Sequence, residues 1–219
     1  MHLVLVRHGR PDGAHGLCLG HHDLALASDG RPALERLAAA WRDDMAAGVA
    51  SLPAPARLVA SDLARTRASA EVLGAAFGLT TELEPRLREM HFGAWDGRPW
   101  AELEAADGER LGRWMAGWVT ERTPHGEAFP DVAARTADWL AALRAGPVPN
   151  GPVLVVAHAG SVRALLCGLM GWPLAHAFRV RVDYARATAA RVPAPDDPRG
   201  PELLFLNADR VPRRADGAG

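Results

Sequence analysis

The sequence predicts an α/β fold, a three-layer α/β/α sandwich built around a mostly parallel central sheet. Short, continuous apolar runs recur along the chain, and runs of this length are typical of strands that are buried on both faces. Longer segments that repeat apolar residues at helical spacing separate these runs. Strands that alternate with helices pair in parallel and carry helices on both faces of the sheet, which gives the three layers.

The amino-terminal half begins with a buried strand at residues 3–6 and continues through a loop at 10–27 that is rich in Gly, His and Asp. Ser28 is predicted to cap the first helix, with Pro32 early enough in that helix to be tolerated, and the helix should end near Gly48. Three further elements are then predicted: a strand at 57–60, a helix at 62–77 closed by a glycine, and a strand at 80–83.

The carboxyl-terminal half is predicted to hold a further buried strand at 152–157, which leads into a helix that begins at Gly160 or Ser161. Alternation of apolar and polar residues later in the chain indicates antiparallel or edge strands. The remaining predicted elements are helices at 100–118 and 129–143 and strands at 178–184, 188–192 and 203–207.

The composition fits a globular protein and argues against several functional classes. Of the 219 residues, 48% are hydrophobic, enough for a substantial core, and 25 basic residues nearly balance 26 acidic ones. A net charge of −1 argues against a general nucleic-acid or membrane-surface binder. We therefore predict one domain over residues 1–211, a frayed tail over 212–219, and neither a nucleic-acid nor a membrane partner.

Two features of the composition limit what single residues can indicate. The chain contains arginine but no lysine, so an individual arginine is weaker evidence of anion recognition, and its position has to carry the argument. Cys18 and Cys167 lie far apart without metal-ligand spacing and are predicted to be reduced thiols. Because no leader-like or membrane-spanning apolar segment is recognisable, a cytoplasmic location is expected.

Polar residues follow the predicted strands beyond their carboxyl ends, where ligands bind in parallel sheets. Arg7 and His8 follow the first strand, and His158 follows the strand that precedes the last helix. Arg65 lies in the first turn of the second helix, where it can point over the edge of the sheet. Glu89 lies beside a turn rich in Gly and aromatic residues and is a candidate general acid. Each signal alone is weak, because a single histidine at a strand end is more often structural.

Together these positions fall in four motifs that resemble the ordered motifs of the histidine phosphatase superfamily, which includes cofactor-dependent phosphoglycerate mutases and many phosphatases. The motifs are Arg7-His8-Gly9, residues 61–70, residues 87–97 and Ala157-His158-Ala159-Gly160. The resemblance covers the chain from Leu3 to about Gly171 and is specific in combination. It implies a phosphoglycerate mutase-like fold and chemistry through a phosphohistidine, with no metal and no cofactor.

The resemblance implies a role for each matching residue. His8 matches the nucleophilic histidine, and Arg7 and Arg65 match the arginines that bind the phosphoryl group. His158 matches the second histidine, which contacts the phosphoryl group, and Glu89 matches the proton donor to the leaving group. Elementary chemistry agrees, because a transferring phosphoryl group spreads negative charge over three oxygens that guanidinium groups can clamp. Two guanidinium groups beside His8 also disfavour its protonated form, which keeps the imidazole able to attack.

Other segments resemble the α-ribazole phosphatase-like subgroup, which removes phosphate from α-ribazole 5′-phosphate during cobalamin assembly. They are the loop at 16–26, Trp114 with Trp118, the segment at 124–129 and the run at 178–183. We predict substrate contacts from Gly20 and His21 in this loop and from Ala159 beside the second histidine. The expected partner is a small-molecule phosphomonoester. Exposed apolar surface could also support a homodimer.

Two functions other than phosphatase activity are to be considered. A phosphoglycerate mutase-type transferase is disfavoured by the short segment between Gly97 and Gly126 and by the absence of lysine for substrate contacts. A catalytically silent phosphate-binding module on the same fold is disfavoured because all five expected polar residues are present. We therefore predict a metal-independent phosphoric monoester hydrolase.

Several histidines also have a simpler structural interpretation. His21, His22 and Asp23 would suit a metal only with a further ligand, so one of the histidines is more simply placed at the rim of the pocket. His91 either touches the bound group or holds its own turn. Neither position adds a metal to the prediction.

Tryptophans near the third helix admit two interpretations as well. They are Trp95, Trp100, Trp114 and Trp118. One interpretation is a stacking surface for an aromatic base. The other is core packing, which we predict for most of them because Trp114 and Trp118 are four residues apart on one helix face.

Overall fold

The computed structural model describes residues 1–194 and 197–214, and these contain a six-stranded mixed sheet. The strands are β1 (His2–Arg7), β2 (Arg57–Ala60), β3 (Thr81–Leu83), β4 (Val153–Ala157), β5 (Ala187–Arg191) and β6 (Glu202–Ala208). Their order across the sheet is β3-β2-β4-β1-β5-β6, and within the described ranges only β5 runs against the others. The predicted mostly parallel sheet is confirmed.

Five α-helices and three short 3₁₀-helices accompany this sheet in the same residues. The α-helices are α1 (Arg31–Ala46), α2 (Ala64–Phe77), α3 (Trp100–Ala116), α4 (Phe129–Ala145) and α5 (Ala159–Met170). The 3₁₀-helices are Pro85–Leu87, Gly93–Trp95 and Leu174–Arg179. None of the helices in the described part of the chain is both long and apolar enough to cross a membrane.

Alternate side chains of β1 point to opposite faces of the sheet and define two cores. Val4 and Val6 pack in one cluster with buried side chains of α1 and α2. Leu3 and Leu5 pack in the other with side chains of α4 and α5. All four are at most 1% exposed. Helices therefore cover both faces, which confirms the predicted three-layer α/β/α arrangement.

The carboxyl ends of β1, β4 and β2 lie side by side in the middle of the sheet. Arg7 at the end of β1 is paired with Ala157 at the end of β4, and β2 lies on the other side of β4. The residues that directly follow these strands are His8, His158 and Ser61. The sheet thus brings three polar side chains from distant parts of the sequence to one edge.

The first helix begins at Arg31 and not near Ser28, so the predicted serine cap is wrong. The Gly30 N–H donates to the Ala27 carbonyl at 2.9 Å, which closes a turn before the helix starts. Gly30 is the N-cap residue, and a Cβ there would lie 2.6 Å from the Arg10 carbonyl oxygen. The close approach of the loop to this turn, which no local pattern encodes, sets the start of the helix.

The strand predicted at 178–184 is also wrong, because the segment is the end of a 3₁₀-helix followed by a loop. Val180 and Val182 are buried, as their alternation predicts. However, the Val180 carbonyl accepts a hydrogen bond from Arg163 Nε at 3.0 Å, and the Val182 carbonyl accepts one from Arg7 Nη1 at 2.8 Å. Arginine side chains thus take the place that a neighbouring strand would have as hydrogen-bond partner.

The last described residues are held against the rest of the protein, although a frayed tail was expected from residue 212. Arg213 forms an isolated β-bridge with Ala50, and its Nε donates to Asp44 at 2.9 Å. Arg214 Nε donates to the Ala50 carbonyl at 3.0 Å. Arg213 and Arg214 are therefore held in place, and the rest of the predicted tail, 215–219, lies outside the described residues.

Candidate active site

His8 is placed by the end of β1 and oriented by the residue that follows it. Its backbone N–H donates to the Ala157 carbonyl at 3.0 Å, which extends the contact between β1 and β4 past the strand. Its Nδ1 lies 2.7 Å from the Gly9 carbonyl oxygen. Because a carbonyl oxygen only accepts, Nδ1 carries the ring proton, and Nε2 is the nitrogen whose lone pair is available for attack.

His158 lies beside His8, with the two ring centroids 5.0 Å apart, and its side chain is fully buried. His158 Nε2 is 2.9 Å from Ser61 Oγ, whereas Nδ1 has no hydrogen-bond partner among the described residues. A serine hydroxyl that donates to Nε2 leaves the ring proton on Nδ1. His158 then offers a buried N–H donor that no protein group uses.

Arg7 is held from two sides at the end of β1. Its Nη1 donates to the Val182 carbonyl at 2.8 Å, and its guanidinium carbon lies 3.6 Å from the centroid of the Tyr184 ring. Stacking on an aromatic face fixes the plane of the guanidinium without neutralising its charge. Its Nε is buried and has no partner in the described part of the chain.

Arg65 lies in the first turn of α2, as predicted, and is 1% exposed. Its two terminal nitrogens donate to backbone carbonyls, those of Gly20 at 2.6 Å and His22 at 3.0 Å. Its Nε, like that of Arg7, is buried without a partner among the described residues. Carbonyl oxygens orient the guanidinium but leave its positive charge unbalanced, so the charge is available to a bound anion.

Burial and the two arginines keep both histidines uncharged at neutral pH. Burial lowers the pKa of His8 well below its ordinary value of 6.5, and the charges of Arg65 and Arg7 lower it further. Burial is also the largest cause of the lowered pKa of His158, followed by the charge of Arg65. His8 is therefore ready to act as a nucleophile without first losing a proton.

We expect the stability of the protein to fall as the pH drops below about 6.5, and His8 to contribute to the fall. The unfolded chain takes up a proton on each histidine near that pH, whereas buried His8 and His158 do not, so protonation favours unfolding. Each such histidine costs about 1.4 kcal/mol of unfolding free energy per pH unit below ~6.5 until its folded pKa is reached. Urea denaturation at several pH values should show a shallower dependence in His8→Asn, while His15→Asn, at an exposed position, should match the wild type. Equal slopes for all three proteins would contradict the expectation.

Glu89 lines the same pocket as Arg7, His8 and Arg65. Its Oε1 accepts the Met90 N–H at 2.9 Å, and its Oε2 accepts the N–H of Gly160 in the first turn of α5 at 3.0 Å. A Cβ at residue 160 would lie 2.1 Å from Glu89 Oε1, so this close approach requires glycine there. Two backbone donors thus fix both carboxylate oxygens.

The segment that carries Glu89 is held by an ion pair from α4. Arg135 Nε donates to Glu127 Oε1 at 2.9 Å. Arg135 Nη1 donates to the carbonyls of Arg86 and Arg88, both at 2.7 Å. Its Nη2 donates to the Glu89 carbonyl at 2.8 Å. The position of the candidate acid therefore depends on α4 as well as on α5.

The loop that carries Gly20 and His21 lines the pocket through Leu17 and Leu19, whereas Gly20 and His21 themselves brace the site. The Asp96 carboxylate accepts the backbone N–H groups of this loop at Gly20, His21 and His22. His21 Nε2 donates to the Glu89 carbonyl at 2.8 Å, and its ring lies tilted against that of His91, with the two centroids 4.7 Å apart. Of the three predicted substrate contacts, only Ala159 is a lining residue of the pocket; Gly20 and His21 hold Arg65 and Glu89 instead.

Within the described ranges, three or more potential metal ligands do not come together at any point. His21 is engaged with the Glu89 carbonyl, and Asp23 Oδ1 accepts the Ala64 N–H at 2.6 Å. These residues therefore connect the loop to α2 and to the Glu89 segment.

The pocket is a cavity of about 270 Å³ with one charged end and one aromatic side. Trp95 is 1% exposed and belongs to the core, as predicted. The three other tryptophans are half-buried and line the pocket: Trp100, Trp114 and Trp118. The predicted core packing therefore describes only part of their surroundings. Trp100 and Trp114 stack with their rings 6.3 Å apart. The aromatic side also includes Phe92, Phe129 and Phe178.

Sequence reasoning missed several residues that shape the site. Ser61 directly follows the predicted strand at 57–60 but was given no role of its own, and Tyr184, the one tyrosine of the chain, gives no local signal. Arg163 and Arg135 lie inside helices, where an arginine is ordinarily solvated. Only the assembled fold shows that Arg163 lines the pocket and that Arg135 holds the Glu89 segment.

The fold and the paired histidines define the class of protein: the chain belongs to the histidine phosphatase superfamily (branch 1), whose family model matches residues 3–204. A glucosyl-3-phosphoglycerate phosphatase from Mycobacterium tuberculosis is 37% identical over 185 residues, which cover 80% of this chain and 77% of the relative. A probable phosphoglycerate mutase GpmB from Erwinia tasmaniensis is 30% identical and covers 83% of this chain and 80% of its own length.

Among solved structures, a putative α-ribazole-5′-P phosphatase from Escherichia coli K-12 superposes with a TM-score of 0.83. It is 25% identical, and the superposition covers 97% of this chain and 98% of that one. The predicted superfamily is therefore confirmed, and the relatives include enzymes named for different substrates.

Proposed function

We propose that the protein is a phosphomonoester hydrolase that acts on a small phosphorylated metabolite through a phosphohistidine at His8. One observation carries the proposal: among the described residues, three buried nitrogens of side chains next to the neutral His8 have no hydrogen-bond partner, namely Arg7 Nε, Arg65 Nε and His158 Nδ1. Donors that are fixed before the substrate binds stabilise the negative charge of a transferring phosphoryl group. Membership of the superfamily supports the same chemistry.

The reaction proceeds in two displacements. His8 Nε2 attacks phosphorus, the bond from phosphorus to the ester oxygen breaks, and the leaving oxygen takes the proton of the Glu89 carboxylic acid. Glu89, now a carboxylate, removes a proton from a water molecule whose oxygen attacks the phosphohistidine. The bond from nitrogen to phosphorus breaks, inorganic phosphate leaves, and His8 and Glu89 return to their starting forms.

Two substrates are supported by different observations. α-Ribazole 5′-phosphate, the substrate predicted from the sequence, is supported by the aromatic side of the pocket and by the fold of the E. coli protein. Glucosyl-3-phosphoglycerate is supported by 37% sequence identity to the mycobacterial phosphatase. The two differ in charge, because the alcohol of α-ribazole is neutral whereas a glycerate carries a carboxylate.

Phosphate release from a panel of phosphomonoesters tests the proposal. The panel contains α-ribazole 5′-phosphate, glucosyl-3-phosphoglycerate, 3-phosphoglycerate, fructose 2,6-bisphosphate and nucleotides, each with and without excess chelator. We expect phosphate release that chelator leaves unchanged, because the proposed chemistry uses side chains of this chain alone. Isomerisation of 3-phosphoglycerate without release of phosphate would instead identify a mutase-type transferase. Loss of all activity in chelator would contradict the metal-independent mechanism.

A further inference from the structure

A third arginine of the pocket forms no ion pair in the described part of the chain. Arg163 lies on α5, one turn after Gly160, and lines the pocket together with Arg7 and Arg65. It is half-buried and has no carboxylate within 4.0 Å among the described residues. Removing a guanidinium from water without a counter-charge is costly, so its presence here calls for an explanation.

Other arginines with similar burial have a carboxylate partner. Apart from Arg7, Arg65 and Arg163, every arginine that is buried or half-buried in the described ranges forms an ion pair with Asp or Glu. The paired ones are Arg57, Arg86, Arg88, Arg98, Arg135, Arg186 and Arg191. All three unpaired ones line the catalytic pocket. Two of these, Arg7 and Arg65, are the proposed phosphate ligands, so Arg163 shares the property that marks an anion-binding arginine in this protein.

The guanidinium of Arg163 is fixed through its Nε, and its two terminal nitrogens are available to a ligand. Its Nε donates to the Val180 carbonyl at 3.0 Å, and its guanidinium carbon lies 4.8 Å from the centroid of the Phe178 ring. The two terminal nitrogens have no hydrogen-bond partner in the described part of the chain. They present a planar pair of donors, the geometry that matches the two oxygens of a carboxylate.

The pocket contains one arginine more than the two assigned to the phosphoryl group. Arg7 and Arg65 are the proposed phosphate ligands, which leaves the guanidinium of Arg163 for another anionic group of the substrate. Glu89 and Arg163 line the same pocket, and Gly160, whose N–H donates to Glu89, lies one turn before Arg163 on α5. Because Glu89 donates its proton to the leaving oxygen, Arg163 lies on the side of the pocket where the alcohol of the substrate binds.

We propose that Arg163 binds a carboxylate on the leaving alcohol of the substrate, so that the substrate class is a phosphomonoester of a hydroxy acid. The inference rests on the proposed function and deepens it, since it assigns a second anion subsite beside the phosphoryl site. The remainder of such an alcohol faces Trp114 and Trp118, which line the same pocket. Of the two candidate substrates, the inference favours the one with a glycerate.

A matched pair of substrates isolates the carboxylate. 3-Phosphoglycerate and glycerol 3-phosphate share a three-carbon skeleton and differ in a carboxylate against a hydroxymethyl group. We expect the wild type to prefer 3-phosphoglycerate in kcat/KM by about 10- to 100-fold, the effect of a charge-assisted hydrogen bond. In Arg163→Met this ratio should fall at least about tenfold, mainly through KM, and Arg163→Lys should restore part of it.

The controls separate the inference from the proposed function. Arg179→Met removes an exposed arginine outside the pocket and should keep the wild-type ratio. Equal loss on both substrates in Arg163→Met, or a wild type that does not distinguish them, would overturn the carboxylate subsite while the phosphatase stands. Failure of the wild type to release phosphate from both substrates and from p-nitrophenyl phosphate would instead overturn the proposed function. Thermal denaturation of each variant identifies a loss that comes from misfolding.

Discussion

Replacing His8 with alanine should lower kcat/KM for every phosphomonoester by ~10³-fold or more, because the variant has no group to accept the phosphoryl group. The loss should not depend on the leaving group, since both displacements pass through this nitrogen. Arg7, Arg65 and His158 stay in place, so inorganic phosphate should still bind. Steady-state kinetics with aryl and alkyl phosphates, together with calorimetric titration with phosphate, measure both expectations.

A second histidine variant provides the control for the first. His176 is half-buried in the 3₁₀-helix after α5 and is not a lining residue of the pocket. His176→Ala should keep activity within about twofold of the wild type, as expected for a substitution away from the site. If His8→Ala retained more than about one tenth of the wild-type activity, the covalent mechanism would be wrong.

Replacing Glu89 with glutamine should have the second largest effect, and its size should depend on the leaving group. An alkoxide needs a proton as it departs, so kcat/KM for an alkyl phosphate should fall by ~10²–10⁴-fold. p-Nitrophenolate leaves without a proton, so the loss for its phosphate ester should be about tenfold or less. Measuring kcat/KM across a series of aryl and alkyl phosphates gives the slope against the leaving-group pKa, which should become steeper in the variant.

The comparison between substrates also controls for structural damage by this substitution. Both Glu89 oxygens accept backbone N–H groups, from Met90 and Gly160, and an amide can accept only one of them. A displaced side chain would lower activity on all esters alike, whereas a lost proton donor acts on poor leaving groups. An unchanged slope would therefore exclude Glu89 as the acid. Glu104→Gln, at an exposed position on α3, should leave both rate and slope unchanged.

The sheet could be predicted closely because its strands are encoded locally. Residues 3–6 and 152–157 form continuous apolar runs, and the structure places β1 and β4 there within a residue or two. The two wrong predictions, the start of the first helix and the strand at 178–184, concern segments whose structure depends on contacts with distant residues. Gly30 meets the backbone of Arg10, and the carbonyls of Val180 and Val182 receive arginine side chains in place of a strand.

The same distinction applies to the site. His8, Arg65 and His158 directly follow strands or open a helix, so the rule that ligands bind at the carboxyl ends of parallel strands finds them. Arg163 and Arg135 lie within helices, and their importance depends on which loops pack against those helices. Pairwise spacing along the chain carries no information about that packing. The aromatic side of the pocket could not be predicted for a similar reason. Helical spacing predicts that two tryptophans share a helix face, but it does not predict what that face contacts.

The stereochemistry of hydrolysis at phosphorus tests the proposed phosphohistidine most directly. A phosphorothioate monoester that is chiral through its oxygen isotopes would be hydrolysed in isotopically labelled water, and the configuration of the released thiophosphate determined. Attack by His8 followed by attack of water inverts phosphorus twice, so we expect net retention. Net inversion would mean that water displaces the alcohol in a single step, and His8 would then not be the nucleophile.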